Sequence, residues 1–214
     1  MSASTRRRRP DARPAEILAA ALDLFSEQGF SATRLEDVAK RAGLSKAAIY
    51  LYFEDKFALL KGIVGELAAA NIGAVMQQAA AHEGPVAPLL RQLLLFIGNR
   101  VQHSRLPDLI KLVVSESRAH PEIGRLYIDN VLSKALPLVQ SVIERGIASG
   151  EFKPVDASLA VKCIAGPMVL AAIWRSVFEP IGAEPLDAEA LARQHADLII
   201  NALLSNPTQP GRPS

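Results

Sequence analysis

Apolar residues recur three and four positions apart along almost the whole chain, and nowhere alternate with polar ones over a strand's length. Ile17, Leu18, Ala21, Leu22 and Phe25 share one side of a predicted helix over 16–28, closed by Gly29. Phe30 leads into a second, short helix with Leu35, Val38 and Ala39 on one face. Thr33 and Glu36 have the spacing of a capping box, in which each side chain closes a free backbone N–H at the helix start. Gly43 is the predicted stop, because glycine accepts the left-handed conformation that ends a helix. Ser45 is a good N-cap for a third helix, with Leu44 stapling onto Ile49 and Ala48 and Ile49 turned inward. Ile17, Leu22, Phe25, Phe30, Leu35, Val38, Leu44, Ile49 and Phe53 would together fill a three-helix core. Two short helices joined by such a turn make a helix-turn-helix, whose second helix normally lies in the DNA major groove.

The helical period continues to the end of the chain. A long helix is predicted over 56–82 through Leu60, Ile63, Val64, Leu67, Ala70 and Val75, broken by Gly84-Pro85. Further helices are expected over 86–102, from Pro107 to about 118, over 122–148 with a kink at Pro137, from an Asp156 cap to about 178, and from an Asp187 cap to about 204. The expectation is an all-α protein of about nine helices. A DNA-binding helix-turn-helix domain is expected over 13–60, and a larger helical domain, expected to serve ligand binding and dimerisation, over 61–205. They are flanked by a disordered basic tail over 1–12 and a proline-rich tail over 206–214. Arg6 to Arg9 make the first tail either an arm that reaches phosphates or the minor groove, or a solubilising segment.

Composition narrows the function classes. The hydrophobic fraction is 50% with only 5% aromatic residues, which fits a helical protein rich in Ala and Leu. The net charge of +2 excludes a globally basic nucleic-acid coat. The basic excess is local: residues 1–56 carry ten Lys and Arg against eight Asp and Glu, and the rest balances. A lone cysteine, Cys163, excludes an intrachain disulfide framework and suits a reducing cytosol. The basic N-terminus precedes an amphipathic helix, not the apolar block of a secretory signal. The longest apolar run, 163–174, is too short to cross a bilayer.

On the third helix Lys46, Ala47 and Tyr50 face outward. Lys46 can donate to guanine edges or a phosphate, and Ala47 can touch a thymine methyl. Tyr50, Tyr52 and Lys56 place donors where the flanking backbones would run. Here the chain resembles the TetR/AcrR family of transcriptional regulators. The resemblance is carried by Ala20-Ala21-Leu22, Phe25, Gly29-Phe30, Thr33, Val38-Ala39, Ala42-Gly43-Leu44-Ser45-Lys46, Ile49-Tyr50, Tyr52-Phe53, Lys56 and Leu59-Leu60. It implies phosphate contacts for Thr33, Ser45, Tyr50, Tyr52 and Lys56, and base-facing positions for Arg34, Lys46 and Ala47. Leu51 departs from the family's frequent histidine, and Phe57 from its usual acidic residue.

The last two helices carry more apolar surface than one face each. Leu170, Trp174, Leu191, Leu198, Ile199 and Ala202 are the expected dimer-interface positions; the family resemblance implies a four-helix seam with the symmetry mate. The central helices should enclose a mainly apolar pocket, for which Phe96, Asn99, His103, Glu116, Tyr127, Met168 and Trp174 are the candidates. Gly166-Pro167 either bends its helix around a ligand or accommodates a neighbouring helix. The four histidines show no metal-ligand spacing, and the chain has neither a phosphate loop nor a nucleophile elbow, so neither a catalytic site, a metal nor a cofactor is expected. The expected partners are a double-stranded DNA operator, a small-molecule effector and a second copy of the chain, in the cytoplasm and without a membrane. The reading is a ligand-responsive regulator acting as a repressor. The alternatives are an activator of the same fold, or a helical carrier or interaction module that does not bind DNA.

Overall fold

In the computed structural model, the described residues are 13–205 apart from 70 and 71. Both expected tails lie outside them.

The three-helix unit forms as the periodicity predicts. Helix α1 (Arg13–Ala32), α2 (Leu35–Arg41) and α3 (Lys46–Ile49) bury Ile17, Leu22, Phe25, Phe30, Leu35, Val38 and Ile49, with Leu44 and Phe53 packed against them. Gly29 sits inside α1 at φ 83°, ψ 165°, a backbone angle that side-chain-bearing residues avoid. The helix therefore turns there and its last residues lead directly into α2. Gly43, at φ 66°, ends the turn between α2 and α3. Ser45 caps α3 by accepting from Ala48 N at 3.2 Å.

The capping box at the head of α2 does not form. Arg34 is the N-cap, without a side-chain bond, and Thr33 instead donates to the carbonyl of Gly29 at 2.7 Å. Glu36 is drawn away by a nearer cation, Lys46, at 2.9 Å.

Helix α4 (Lys56–Val64), capped by Asp55, leads into a π-turn (Gly65–Ala69), with α5 (Ile72–Ala81) beyond. Helices α6 (Ala87–His103) and α7 (Leu106–Glu116) follow, each with proline in its first turn. Helix α8 (Pro121–Tyr127) runs through a π-turn (Ile128–Leu132) into α9 (Ser133–Ala148). The irregularity expected at Pro137 thus lies earlier, and α9 passes through the proline as helix. Helix α10 (Ala157–Ile173) and α11 (Ala188–Leu203) start on Asp156 and Asp187, whose carboxylates accept from Leu159 N and Ala190 N. Helix α10 extends through a π-turn (Trp174–Phe178) and a 3-10 turn to Ile181. That 25-residue segment, 157–181, is long and apolar enough to cross a bilayer, unlike the shorter run read from sequence.

Distant side chains accept further backbone donors at the starts of α6 and α11. Glu151 accepts from Val86 N and Ala87 N at 2.7 and 2.8 Å, placing a carboxylate on the positive start of α6. Gln102 accepts from Ala188 N at 2.9 Å. Helices α6 and α11 cross closely because Gly98 lies on Ala192; a Cβ at 98 would overlap the Ala192 Cβ.

Two buried clusters organise the core. One joins the three-helix unit to α4, α7, α8 and the start of α11, through residues such as Phe25, Leu60, Leu109 and Ile123. The other holds Leu90, Val142, Ile143, Phe152 and Ile200 among α6, α9, α10 and α11. The three-helix unit and the larger domain therefore share apolar packing, with α7 between them.

Candidate DNA-binding face and interior cavity

Three short stretches set the outer face of the amino-terminal unit: the head of α2, the head of α3, and the turn after it. Arg34, Ser45, Lys46, Ala47, Tyr50 and Tyr52 are exposed there, and Leu51 is the most exposed large apolar side chain at 84%. Lys46 and Tyr50 both turn back onto Glu36, at 2.9 and 3.3 Å. The Lys46 ammonium holds the Glu36 carboxyl below the usual carboxylate range, and Glu36 raises the pKa of Lys46 in return. A phosphate or a base edge arriving at this face must compete with that carboxylate.

Two expected contact residues are placed elsewhere. Thr33 is only 2% exposed, and its hydroxyl donates to Gly29 O while accepting from Gln28 Nε2 at 3.3 Å. Lys56 donates to the carbonyls of Phe30 and Ser31 at 2.8 and 3.0 Å, with its ammonium 4.6 Å from the centre of the Phe30 ring. Carbonyls at a helix end have no intrahelical donor, so a nearby ammonium is drawn to them. Lys56 locks the end of α1 to the start of α4. In this arrangement the Thr33 hydroxyl proton is committed to Gly29, and two of the three Lys56 donors are committed to backbone carbonyls.

The larger domain holds a cavity of about 230 Å³. Its walls come from α5, α6, α7, α9, α10, the end of α8 and the π-turns at 65–69 and 128–132, and nearly all of the lining is Leu, Ile, Val, Phe, Ala and Met. Phe96, Tyr127 and Met168 line it; Asn99, His103, Glu116 and Trp174 do not. Asn99 and His103 stand on the α11 side of α6, both directed at Glu189, at 2.8 and 3.4 Å. Trp174 donates its indole N–H to Glu184 O at 2.9 Å and packs on Phe178. Glu116 lies against the bend of α1, 3.1 Å from where a Cβ on Gly29 would stand. Each of these four polar groups faces a neighbouring element, which apolar context in the sequence could not distinguish from facing a cavity.

Tyr127 and Arg100 are the polar side chains of the lining. Burial pushes the Tyr127 phenol upward, so it stays protonated and able to donate. Arg100 was not among the sequence candidates. Its spacing held the signal: it falls three and four positions after Ile97 and Phe96, on the stripe that faces the cavity.

Helix α7 connects the cavity to the three-helix unit. Leu106 and Ile110 line the cavity, while Arg105, just before α7, pairs with Asp23 on α1 and with Asp108 at 2.9 Å. Just beyond α7, His120 Nε2 lies 2.6 Å from Ser31 Oγ, and its ring meets Phe30 edge-on.

On the opposite side, α10 and α11 expose Leu159 (58%), Leu170 (56%) and Leu198 (60%). Ala202 is also exposed, whereas Leu191 and Ile199 are half-buried against the core clusters and Trp174 is half-buried. Among the described residues, no group of three or more His, Cys, Asp and Glu could hold a metal ion.

Comparison with known proteins agrees with this architecture. Residues 17–63 match the profile for bacterial regulatory proteins of the tetR family, and residues 83–198 match the tetracyclin repressor-like carboxyl-terminal domain. The chain is 42% identical over 82 residues to the HTH-type transcriptional regulator AcrR of Shigella flexneri, spanning 38% of each chain. It is 29% identical over 165 residues to the HTH-type transcriptional regulator RutR of Escherichia coli (strain K12), covering 71% of this chain and 69% of RutR. The fold is shared with FadR of Bacillus subtilis, solved in complex with stearoyl-CoA, at a TM-score of 0.70 and 22% identity, over 88% of this chain and 98% of that one. A helix-turn-helix unit and a carboxyl-terminal domain that each match the family, together over most of the chain, make this protein a transcriptional regulator of the TetR family.

Proposed function

We propose that the protein acts as a homodimeric, cytoplasmic repressor that binds a double-stranded operator through α3 and leaves it when a mainly apolar small molecule fills the cavity. It works by binding and carries out no catalysis. The observation that supports this most directly is the shared core: α7 contributes to the cavity wall and packs on α1, with Arg105 paired to Asp23. A ligand that displaces α7 displaces the helix carrying the DNA-binding unit. FadR of Bacillus subtilis, a relative in fold, was solved in complex with stearoyl-CoA, a molecule with a long apolar acyl chain.

Arg34, Ser45, Lys46, Ala47, Tyr50 and Tyr52 form the DNA-facing set in this reading, with Lys46 and Ala47 at the bases. The exposed leucines of α10 and α11 form the dimer seam. The long apolar segment 157–181 serves that seam and not a membrane, because its inner face packs on the rest of the protein, burying Val161, Ile164, Met168, Ala171 and Ala172. A two-fold dimer then places two α3 helices for half-sites about one turn of DNA apart.

Fluorescence anisotropy with labelled DNA from upstream of the protein's own gene tests the reading. Expected is salt-dependent binding that Lys46→Ala weakens by about 1–3 kcal/mol, the range for a specific base contact. Sedimentation should give a dimer without DNA, and Leu198→Asp should break it by stranding a charge in the seam. A soluble monomer at micromolar concentration, or operator affinity unaffected by Lys46→Ala, contradicts the reading.

A further inference from the structure

A single charged side chain stands in the wall of the apolar cavity. Arg100, on α6, is half-buried, and its Nη2 donates to the carbonyl of Leu67 at 2.8 Å. None of the ion pairs among the described residues includes it. A guanidinium carries five N–H donors and keeps its charge at any physiological pH. One donor is used on Leu67. The fork geometry of the others matches a carboxylate, and the side chains of the surrounding leucines, isoleucines and valines offer no acceptor. Glu116, the acidic residue expected near the cavity, is turned to Gly29 instead. The cavity therefore favours an anion over a cation.

We propose that the effector is an aliphatic carboxylate, with its chain along the apolar walls and its carboxylate held in a bidentate pair by Arg100. This rests on the reading of the cavity as the effector site. Lone Arg100 matches a monoanion; a phosphate dianion would leave charge uncompensated, since the lining contains no second cation. At about 230 Å³ the space lies below the roughly 300–1,000 Å³ of pockets for drug-sized ligands, which suits a slender chain over a fused-ring skeleton. Tyr127 provides a further neutral donor in the wall. The Leu67 carbonyl belongs to the π-turn directly after α4. A carboxylate that turns the guanidinium inward thus draws on the same group that fastens the first turn beyond the DNA-binding unit.

Calorimetry on the full-length protein with four probes of one chain length tests this: decanoate, methyl decanoate, 1-decanol and decylammonium. Decanoate should bind about tenfold or more tightly than the neutral probes, and decylammonium most weakly. Arg100→Gln should erase the preference for decanoate while keeping 1-decanol affinity, which also shows that the variant is folded. Arg100→Lys should keep part of the preference, as a point charge without the fork. Equal affinity of wild type for decanoate and 1-decanol overturns the carboxylate and leaves the cavity as effector site. Preference retained in Arg100→Gln overturns the role of Arg100. Binding of none of the four, with operator DNA still bound, overturns the acyl ligand without touching the DNA-binding reading.

Discussion

Replacing Lys56 by alanine separates a phosphate contact from a structural lock. The ammonium makes two hydrogen bonds to backbone carbonyls, at 2.8 and 3.0 Å, and stands 4.6 Å from the Phe30 ring centre. Hydrogen bonds to charged groups contribute about 1.5–3 kcal/mol each in mutational series. Lys56 is only half-buried, and water can take up the released carbonyls, so about 1.5 kcal/mol for the pair is the appropriate figure. The cation over the ring adds about 0.5 kcal/mol at such a site. A total near 2 kcal/mol lowers Tm by about 4–8 °C for a chain of this size. Thermal melting by circular dichroism reads that shift. Operator affinity measured against salt gives the second axis: a phosphate-binding lysine contributes about 0.9 to the slope of log K against log salt. Lys56→Ala should lower Tm and leave that slope unchanged. A variant that melts with wild type while its slope falls by about one refutes the lock and restores the phosphate contact.

Gly98→Ala should destabilise by about 1–3 kcal/mol, because the new methyl overlaps Ala192 at the crossing of α6 and α11; an unchanged denaturant midpoint would mean that the helices separate freely. Glu36→Gln should strengthen operator binding several-fold by freeing Lys46 and Tyr50 and removing a negative charge from the DNA face; weaker binding would assign Glu36 itself to the DNA. Glu27 on α1 pairs with Arg41 on α2 at 2.7 Å, and that guanidinium holds the Glu27 carboxyl below its ordinary value. Its stabilisation is fully present above the ordinary carboxylate pKa and is lost as pH falls through the lowered one. The Tm difference between wild type and Glu27→Gln should therefore vanish in acid, and a difference that persists there would rule out the ion pair as its source.

The three-helix core was legible from spacing because its helices bury one face each, so that period 3.6 alone sorts Ile17, Phe25, Val38 and Ile49 inward. The caps of Ser45, Asp156 and Asp187 were legible because partner and cap lie three residues apart. Thr33 and Glu36 have the same spacing, yet Glu36 found an ammonium ten positions on and Thr33 found the carbonyl released by the bend at Gly29. Competition from a distant residue leaves no local trace. The cavity was harder still. Helix α6 is covered on two sides, by the cavity and by α11, so an inward position is not yet a pocket position. Asn99 and His103 fell on one side, Phe96 and Arg100 on the other.

That two-sidedness of α6 makes specificity and assembly separately adjustable along one helix. Leu93, Phe96, Ile97 and Arg100 face the cavity, while Arg91, Gly98 and Gln102 hold α11 through the Asp197 carboxylate, the Ala192 methyl and the Ala188 amide. Changing residues of the first set reshapes what the cavity admits and leaves the α6–α11 crossing in register. Changing the second tilts the helix that carries the exposed leucine seam. A sensor for a different molecule could thus be sought by randomising the first set alone, with Gly98 held fixed as the pivot of the frame.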